Sequence, residues 1–349
     1  MKADISKKVL TLSTSYDPPK GGIAQVVYTY SRMYPVFNHI VTKKGDSLPE
    51  KLVALFLGAF KFIYFCLFKG IRIVHIHAAS YNSFKRKGIF IRLAKILKMK
   101  IVFHVHGGAF KEFYKNNSAA VTAVFSSVDV IVALSDSWRL FFIDHIGHSK
   151  VIIVENVVSP PTLLKVKDDD LIHFLFLGEL GKNKGIYDLF EAISENYGAL
   201  EGRVKFHIGG NGEVNKVRQH IRALGLEDMV ISEGWVSGEN KIHLLNLADV
   251  YILPSYNEGL PISILEAMSY KLPIISTPVG GIPEVVTQDE NGLLVSPGDK
   301  HAIGEAILKM TMDEKFRRSA GESSYLKVQP HFPDNVAKKL EALYAELLD

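Results

Sequence analysis

Short apolar runs alternate with helical stretches along this chain. Val9–Thr14, Ile71–His77, Ile101–His106, Val128–Leu134 and Val151–Val154 read as one series of strands. Phe174–Leu177, Val204–Ile208, Val230–Glu233, Val250–Leu253, Pro273–Ser276 and Gly292–Val295 read as a second. Near-continuous Val, Ile and Leu separated by helices mark parallel strands covered on both faces. Two such series predict an α/β protein of two doubly wound domains, residues 1–160 and 171–349, not one long sheet. The join falls in 158–172, where Pro160 and Pro161 precede the run Asp168, Asp169, Asp170. That run reads as a solvated linker rather than a metal site, having no partner carboxylate near it in sequence.

At 349 residues, 47% hydrophobic and 22% charged, the chain buries real cores, which excludes disordered and fibrous classes. One cysteine, Cys66, excludes an intramolecular disulfide framework and suits a reducing compartment. The N-terminus has no apolar run of signal-peptide length, so a cytoplasmic location is expected. The net charge of +4 hides an asymmetry. Through Lys165 there are 23 Lys and Arg against 9 Asp and Glu, or +14, and the remainder carries 18 against 28, or −10. A basic half points to an anionic partner.

The stretch Leu52–Phe68 is apolar nearly all round but holds Lys61 and is shorter than the ~20 residues a span needs. It reads as a helix packed on the first sheet, as one that also touches a membrane surface, or as a span. The mixed cations and aromatics of Phe84–Arg92 and of Lys111–Lys115 fit an anionic lipid interface at the inner face of the cell membrane, or a solvated basic face. Nucleic acid is not expected, because no nucleic-acid module is present.

The segment ADVYILPSYNEGLPISILE, residues 248–266, carries most of the chemistry. A strand ends at Leu253–Pro254, a loop follows, and Pro261 suits the first position of a helix. Free N–H groups and the positive dipole end at such a start bind anions, and Gly259 lets the loop approach a ligand. Glu258 precedes the helix and Glu266 lies five residues beyond Pro261, roughly 7 Å along the axis. A diphosphate at the helix mouth would set one carboxylate near its substituent and the other near a ribose. The plain alternative is a strand–loop–helix with two surface glutamates.

This segment resembles the E-x7-E signature of retaining GT-B glycosyltransferases, and EGLPISILEAMSYKLPIISTPVGGIPEVV is similar to glycosyltransferase family 4 (glycosyl transferases group 1). The resemblance extends over PPKGGIAQVV, HVHGGAF, FLGELGKNKGIYDLFEAI, IGGNGE and GWVS, whose order and spacing make it specific. It implies two Rossmann-like domains facing a cleft, the C-terminal helix packing back on the N-terminal domain. The C-terminal domain would hold a nucleotide-sugar donor and the N-terminal domain the acceptor, and transfer would proceed with retention, no metal and no further cofactor.

By that resemblance Glu266 would hold the ribose hydroxyls, and Glu258 the donor sugar, with the Gly259–Leu260 backbone nearby. Lys184 would pair with the diphosphate, as the charge developing on a departing nucleoside diphosphate requires. Glu179 stands where the family usually has Arg. Either Lys182 substitutes, or Glu179 turns away. Gly21 and Gly22 precede a helix opening at Ile23 or Ala24; they form a tight turn or approach donor phosphates and acceptor. His104 and His106 share one strand face, and His106, with His104 as the alternative, matches the family's active-site histidine. His75 and His77 are read as packing or acceptor-edge residues. No carboxylate sits at a ligand spacing beside these histidines, so metal is not expected there. The loop Gly210, Asn211, Gly212 resembles the family's nucleotide loop, and Val236 would face the base. Gly280, Gly281 and Pro283 read as a helix entrance.

The expected activity is transfer of a hexose-type sugar from a nucleoside-diphosphate sugar, UDP-sugar favoured over GDP-mannose, to an acceptor hydroxyl. A saccharide on a lipid-diphosphate carrier, in surface polysaccharide synthesis, would suit the basic half. Two alternatives stand beside it: another GT-B enzyme, such as a nucleotide-sugar epimerase or glycogen-type synthase, and a non-catalytic nucleotide-binding protein of a membrane surface. A dinucleotide oxidoreductase is disfavoured, since the first strand leads to PPKGGIA and not to G-x-G-x-x-G.

Overall fold

A computed structural model describes residues 1–17, 19, 21–42, 48–108, 110–166 and 169–349, with backbone alone for 48, 49, 51 and 52. Asp168 of the acidic run and the side chains of Lys51 and Leu52 therefore lie outside the described residues. The chain divides into two compact units, residues 1–158 with 330–349, and residues 159–329. The division follows Val158, at the start of the expected join. The last twenty residues group with the first unit, although the sequence pattern runs them on from the second.

The first unit is a parallel sheet of β1 (Val9–Ser13), β2 (Asn38–Val41), β3 (Ile73–Ala78), β4 (Lys100–Val105), β5 (Val130–Ala133) and β6 (Val151–Ile153), ordered β2-β1-β3-β4-β5-β6. The second is a parallel sheet of β7 (Ile172–Leu177), β8 (Val204–Gly209), β9 (Val230–Gly234), β10 (Val250–Leu253), β11 (Ile274–Ser276) and β12 (Gly292–Leu294), ordered β12-β11-β10-β7-β8-β9. Both are Rossmann-like and doubly wound. The strand order reverses between β1 and β3 in one sheet and between β7 and β10 in the other. Ligands of open α/β sheets bind outside the strand C-termini at such reversals.

The two faces of the first sheet differ. Leu10, Leu12, Val74, Ile76, Ile101, Phe103 and Ile131 enter a core shared with Phe62, Phe84, Phe90, Phe110 and Phe125. The opposite face carries Thr11, His75, His77 and His104, all buried, and the helices Gly22–Met33 and Pro333–Leu348 lie over it. Tyr344 of the last helix holds His75 Nδ1 at 2.6 Å and the Tyr34 hydroxyl at 2.8 Å.

The apolar stretch forms the helix Leu48–Phe68. Its inner face packs through Gly58 and Phe62 on Phe90. Its outer face leaves Phe56 and Phe60 about three-quarters exposed, with Leu57, Leu67 and Phe68 also outside. No helix among the described residues is long and apolar enough to cross a membrane. In the neighbouring cluster, Phe84, Lys87 and Phe90 of the helix Asn82–Ile96 and Phe113 of the helix Phe110–Phe125 are buried in the unit, so these four do not meet solvent.

Candidate active site

The second unit assembles the E-x7-E segment at the C-terminal end of β10, next to the strand-order reversal. Pro261 is the N-cap of the helix Ile262–Ser269, with φ −65° and ψ 124°, so the helix starts one residue later than the sequence suggests. No side chain caps it, and its first N–H groups are available to an acceptor.

Glu258 and Lys184 come together here. Lys184 Nζ donates to Glu258 Oε1 at 2.5 Å, and Ser255 Oγ donates to the same oxygen at 2.8 Å. Glu258 is nearly buried and Lys184 about a fifth exposed, so the pair is shielded from salt better than a surface bridge. The loops carrying it are pinned: Tyr256 N–H donates to Asn183 O at 2.9 Å and Thr277 Oγ1 to Ser255 O at 2.6 Å. Gly280, at φ +59°, lies so close to Glu258 O that any Cβ would overlap it, and Gly281 N–H donates to Gly259 O at 2.5 Å. The glycines do lead into a short helix at Ile282–Glu284, but they also press the Glu258–Gly259 backbone into place, and Leu260 is buried beneath it.

Glu266 is held by a residue the sequence reading passed over. Lys241 Nζ, from the helix Gly238–Leu247, donates to Glu266 Oε1 at 2.5 Å. Both carboxylates thus carry a lysine. A lysine 25 residues away in sequence has no local signature that marks it as a partner.

The glycine loop is clipped to the strand-end loop of β7. Leu180 N–H donates to Asn211 O at 2.6 Å, and Glu213 N–H to Leu180 O at 2.8 Å. Gly210 sits where a Cβ would overlap Gly178 O, Gly212 packs on Leu180 O, and Val236 packs against Gly209. Glu179 is exposed and turns out beside Gly212. Lys182 lines a surface hollow with Tyr187, Glu213, Lys216 and His220, a different set of neighbours from the Lys184–Glu258 pair.

The remaining expected residues belong to the first unit. Gly21, at φ 91°, is the N-cap of a helix that begins at Gly22, one or two residues earlier than expected. His106 Nε2 meets His77 Nδ1 at 2.9 Å, and the Asn156 side chain also bonds His106. His104 stacks on His106 at 4.1 Å, but both its ring nitrogens are buried without a partner. Burial keeps all of these rings neutral, with His75 and His106 pushed down to about 3 and His77 and His104 well below the usual range. Nitrogens of His75, His77 and His104 approach within 4.8 Å of one another, a cluster the sequence spacing did not suggest. As placed, the rings of His75 and His104 stack 2° from parallel, and stacked parallel rings cannot both hold one ion in plane.

Residues 165–327 match the family model "Glycosyl transferases group 1". The N-acetyl-alpha-D-glucosaminyl L-malate synthase of Bacillus anthracis is 28% identical over 51% of this chain and 45% of its own length. The amylovoran biosynthesis glycosyltransferase AmsK of Erwinia amylovora is 25% identical over 74% of this chain and 66% of its own. The chain thus spans between about half and two thirds of these relatives. Among solved structures, a sucrose-phosphate synthase from Thermosynechococcus elongatus superposes with TM-score 0.79 at 17% identity, covering 98% of this chain and 99% of that one. Anabaena HepE in complex with UDP does so with TM-score 0.77 at 16%, covering 97% and 100%. The fold is GT-B, and the similarity to the glycosyl transferases group 1 family lies in residues 165–327, within the second unit.

Proposed function

We propose that this protein is a retaining, metal-independent glycosyltransferase of family 4. It moves a sugar from a nucleoside-diphosphate sugar, UDP-sugar favoured over GDP-mannose, to an acceptor hydroxyl. The Lys184–Glu258 pair at the mouth of the helix Ile262–Ser269 carries the proposal. A departing diphosphate gains negative charge at the transition state, and a shielded lysine beside free helix N–H groups stabilises that charge without an ion. Glu258 then faces the donor sugar and Glu266 the ribose, as the E-x7-E resemblance implies. Retention follows the family's front-face course, the leaving phosphate taking the acceptor proton. The UDP complex of the HepE neighbour supports the donor class, and the amylovoran relative supports an acceptor in surface polysaccharide synthesis.

Thermal unfolding against a panel of UDP- and GDP-sugars tests the donor, because a ligand of the folded state alone raises stability. Labelled transfer in excess EDTA tests the metal. Activity lost to EDTA and restored by Mg²⁺ or Mn²⁺ would end the metal-independent reading.

The acceptor reading places a lipid-diphosphate-linked saccharide on the first unit, with the chain peripheral to an anionic membrane on the cytoplasmic side. The exposed apolar stripe of Leu48–Phe68, flanked by exposed Lys61 and Lys69, supports contact with the membrane interface.

A further inference from the structure

The C-terminal edge of the first sheet holds polar groups that the donor site does not use. Lys87, in the helix Asn82–Ile96, is fully buried. Its Nζ reaches back to Ser83 Oγ, 3.1 Å away in the first turn of the same helix. Among the described residues no carboxylate pairs with it. The adjacent charge is Arg86, of like sign, whose Nε is itself buried without an acceptor. An ammonium carries three donors, and a buried charge left without a counter-charge is costly. Burial, with Arg86 beside it, brings Lys87 down to about 7.

Two further observations fall on the turn that leads into this helix, one turn from Ser83. Ser80, in the turn from β3 into this helix, has a buried hydroxyl with no partner. It lies against the exit of β4, where a Cβ on Gly107 would come within 2.9 Å of Ser80 Oγ. The helix N-cap, Tyr81, stands at φ 53° and no side chain caps the helix, so its positive end meets no acid. This turn follows β3, one of the two strands at the order reversal of the first sheet, where ligands of such sheets bind.

We propose that Lys87, Ser80 and the first turn of the helix Asn82–Ile96 form an anion subsite that holds a phosphate or carboxylate carried by the acceptor. The word acceptor rests on the glycosyltransferase reading; the anion site does not. Two donors of the ammonium, the Ser80 hydroxyl and helix N–H groups match an oxyanion with several lone pairs. The ligand supplies the negative charge that the protein withholds.

The test is thermal unfolding of the full chain at constant ionic strength, with inorganic phosphate, pyrophosphate or succinate. It compares the parent with Lys87→Met and Lys184→Met. The expected result is an anion-dependent rise in Tm in the parent and in Lys184→Met, with apparent affinity at least tenfold weaker in Lys87→Met. Lys87→Met alone should unfold at a higher temperature than the parent, since an apolar chain replaces an uncompensated charge. A merely structural lysine would give the opposite. Should Lys87→Met not fold, Ser80→Ala carries the same comparison. A larger shift with pyrophosphate points to a lipid-diphosphate carrier, and one with succinate to a carboxylate-bearing acceptor. A parent with no shift beyond that of chloride, or a Lys87→Met variant with the parent's shift, overturns the subsite. UDP is the separating control: loss of its shift with a Lys87-dependent phosphate shift retained would sink the donor reading and leave the subsite standing.

Discussion

Lys184 and Glu258, 74 residues apart, meet at 2.5 Å, so the cation and the carboxylate proposed for the donor pair with each other. A diphosphate would draw Lys184 from Glu258, leaving Ser255 on the carboxylate. Lys184→Ala should therefore lower turnover by roughly 100-fold while changing donor affinity far less, because the leaving group carries most charge at the transition state. Steady-state kinetics decide it. Unchanged kcat would assign the phosphates to another cation.

Glu266→Ala should weaken UDP binding by about 1–3 kcal/mol, the range for hydrogen bonds to a charged, partly buried group. Lys241→Ala should produce a smaller loss in the same direction, since Lys241 orients the carboxylate at 2.5 Å without being assigned to the nucleotide. Calorimetry showing parent-like UDP affinity in Glu266→Ala would take that residue out of the ribose role.

The first unit should lose stability on acidification in neutral to mildly acid solution. His39, pushed down to about 4, joins His75 and His106, pushed down to about 3, and His77 and His104, also lowered. Below the unfolded value near 6.5 the unfolded chain binds protons that the folded chain refuses, so stability falls with pH by about 1.4 kcal/mol per unit for each such histidine. The window runs from about pH 6.5 to 3. Lys87 adds the same sign between its ordinary 10.5 and about 7. Urea unfolding at pH 7.5 and 5.5 measures the slope, and a flat profile across those two points would mean the rings are protonated in place.

Anionic vesicles should bind the chain through both charge and the stripe on Leu48–Phe68. Phe56→Ser with Phe60→Ser should leave the fold intact, both being about three-quarters exposed, and should remove the part of binding that survives high salt. Replacing the exposed Lys61 and Lys69 should remove the part that salt screens. Flotation at two salt concentrations separates the terms. Equal flotation on neutral and anionic vesicles at low salt would end the charge component.

Of the twelve strands among the described residues, eleven show in the apolar runs, because parallel strands buried on both faces leave a continuous signal. β2 does not. Asn38–Val41 is a four-residue edge strand in which two polar residues precede two apolar ones, too short a run to stand out among loop residues. The placing of Glu258 before and Glu266 within the helix Ile262–Ser269 could be read from the spacing, but Lys241 could not, since its pairing with Glu266 is made by tertiary packing of two helices. Lys87 misled in the other direction. Inside a Lys-Arg-Lys run it reads as solvated, and only its burial in the folded unit shows otherwise.

The helix Pro333–Leu348 gives the first unit an order of assembly. During synthesis the strands β1 to β6 leave the ribosome long before Tyr344, whose hydroxyl takes His75 and Tyr34. Until then the face bearing Thr11, His75 and His77 lacks one of the two helices that cover it. The intervening 171 residues can close on their own sheet first, as domains fold in turn during translation. The first sheet is thus begun before the second unit and completed after it, and a truncation that removes Pro333–Leu348 would strike the unit built from residues 1–158.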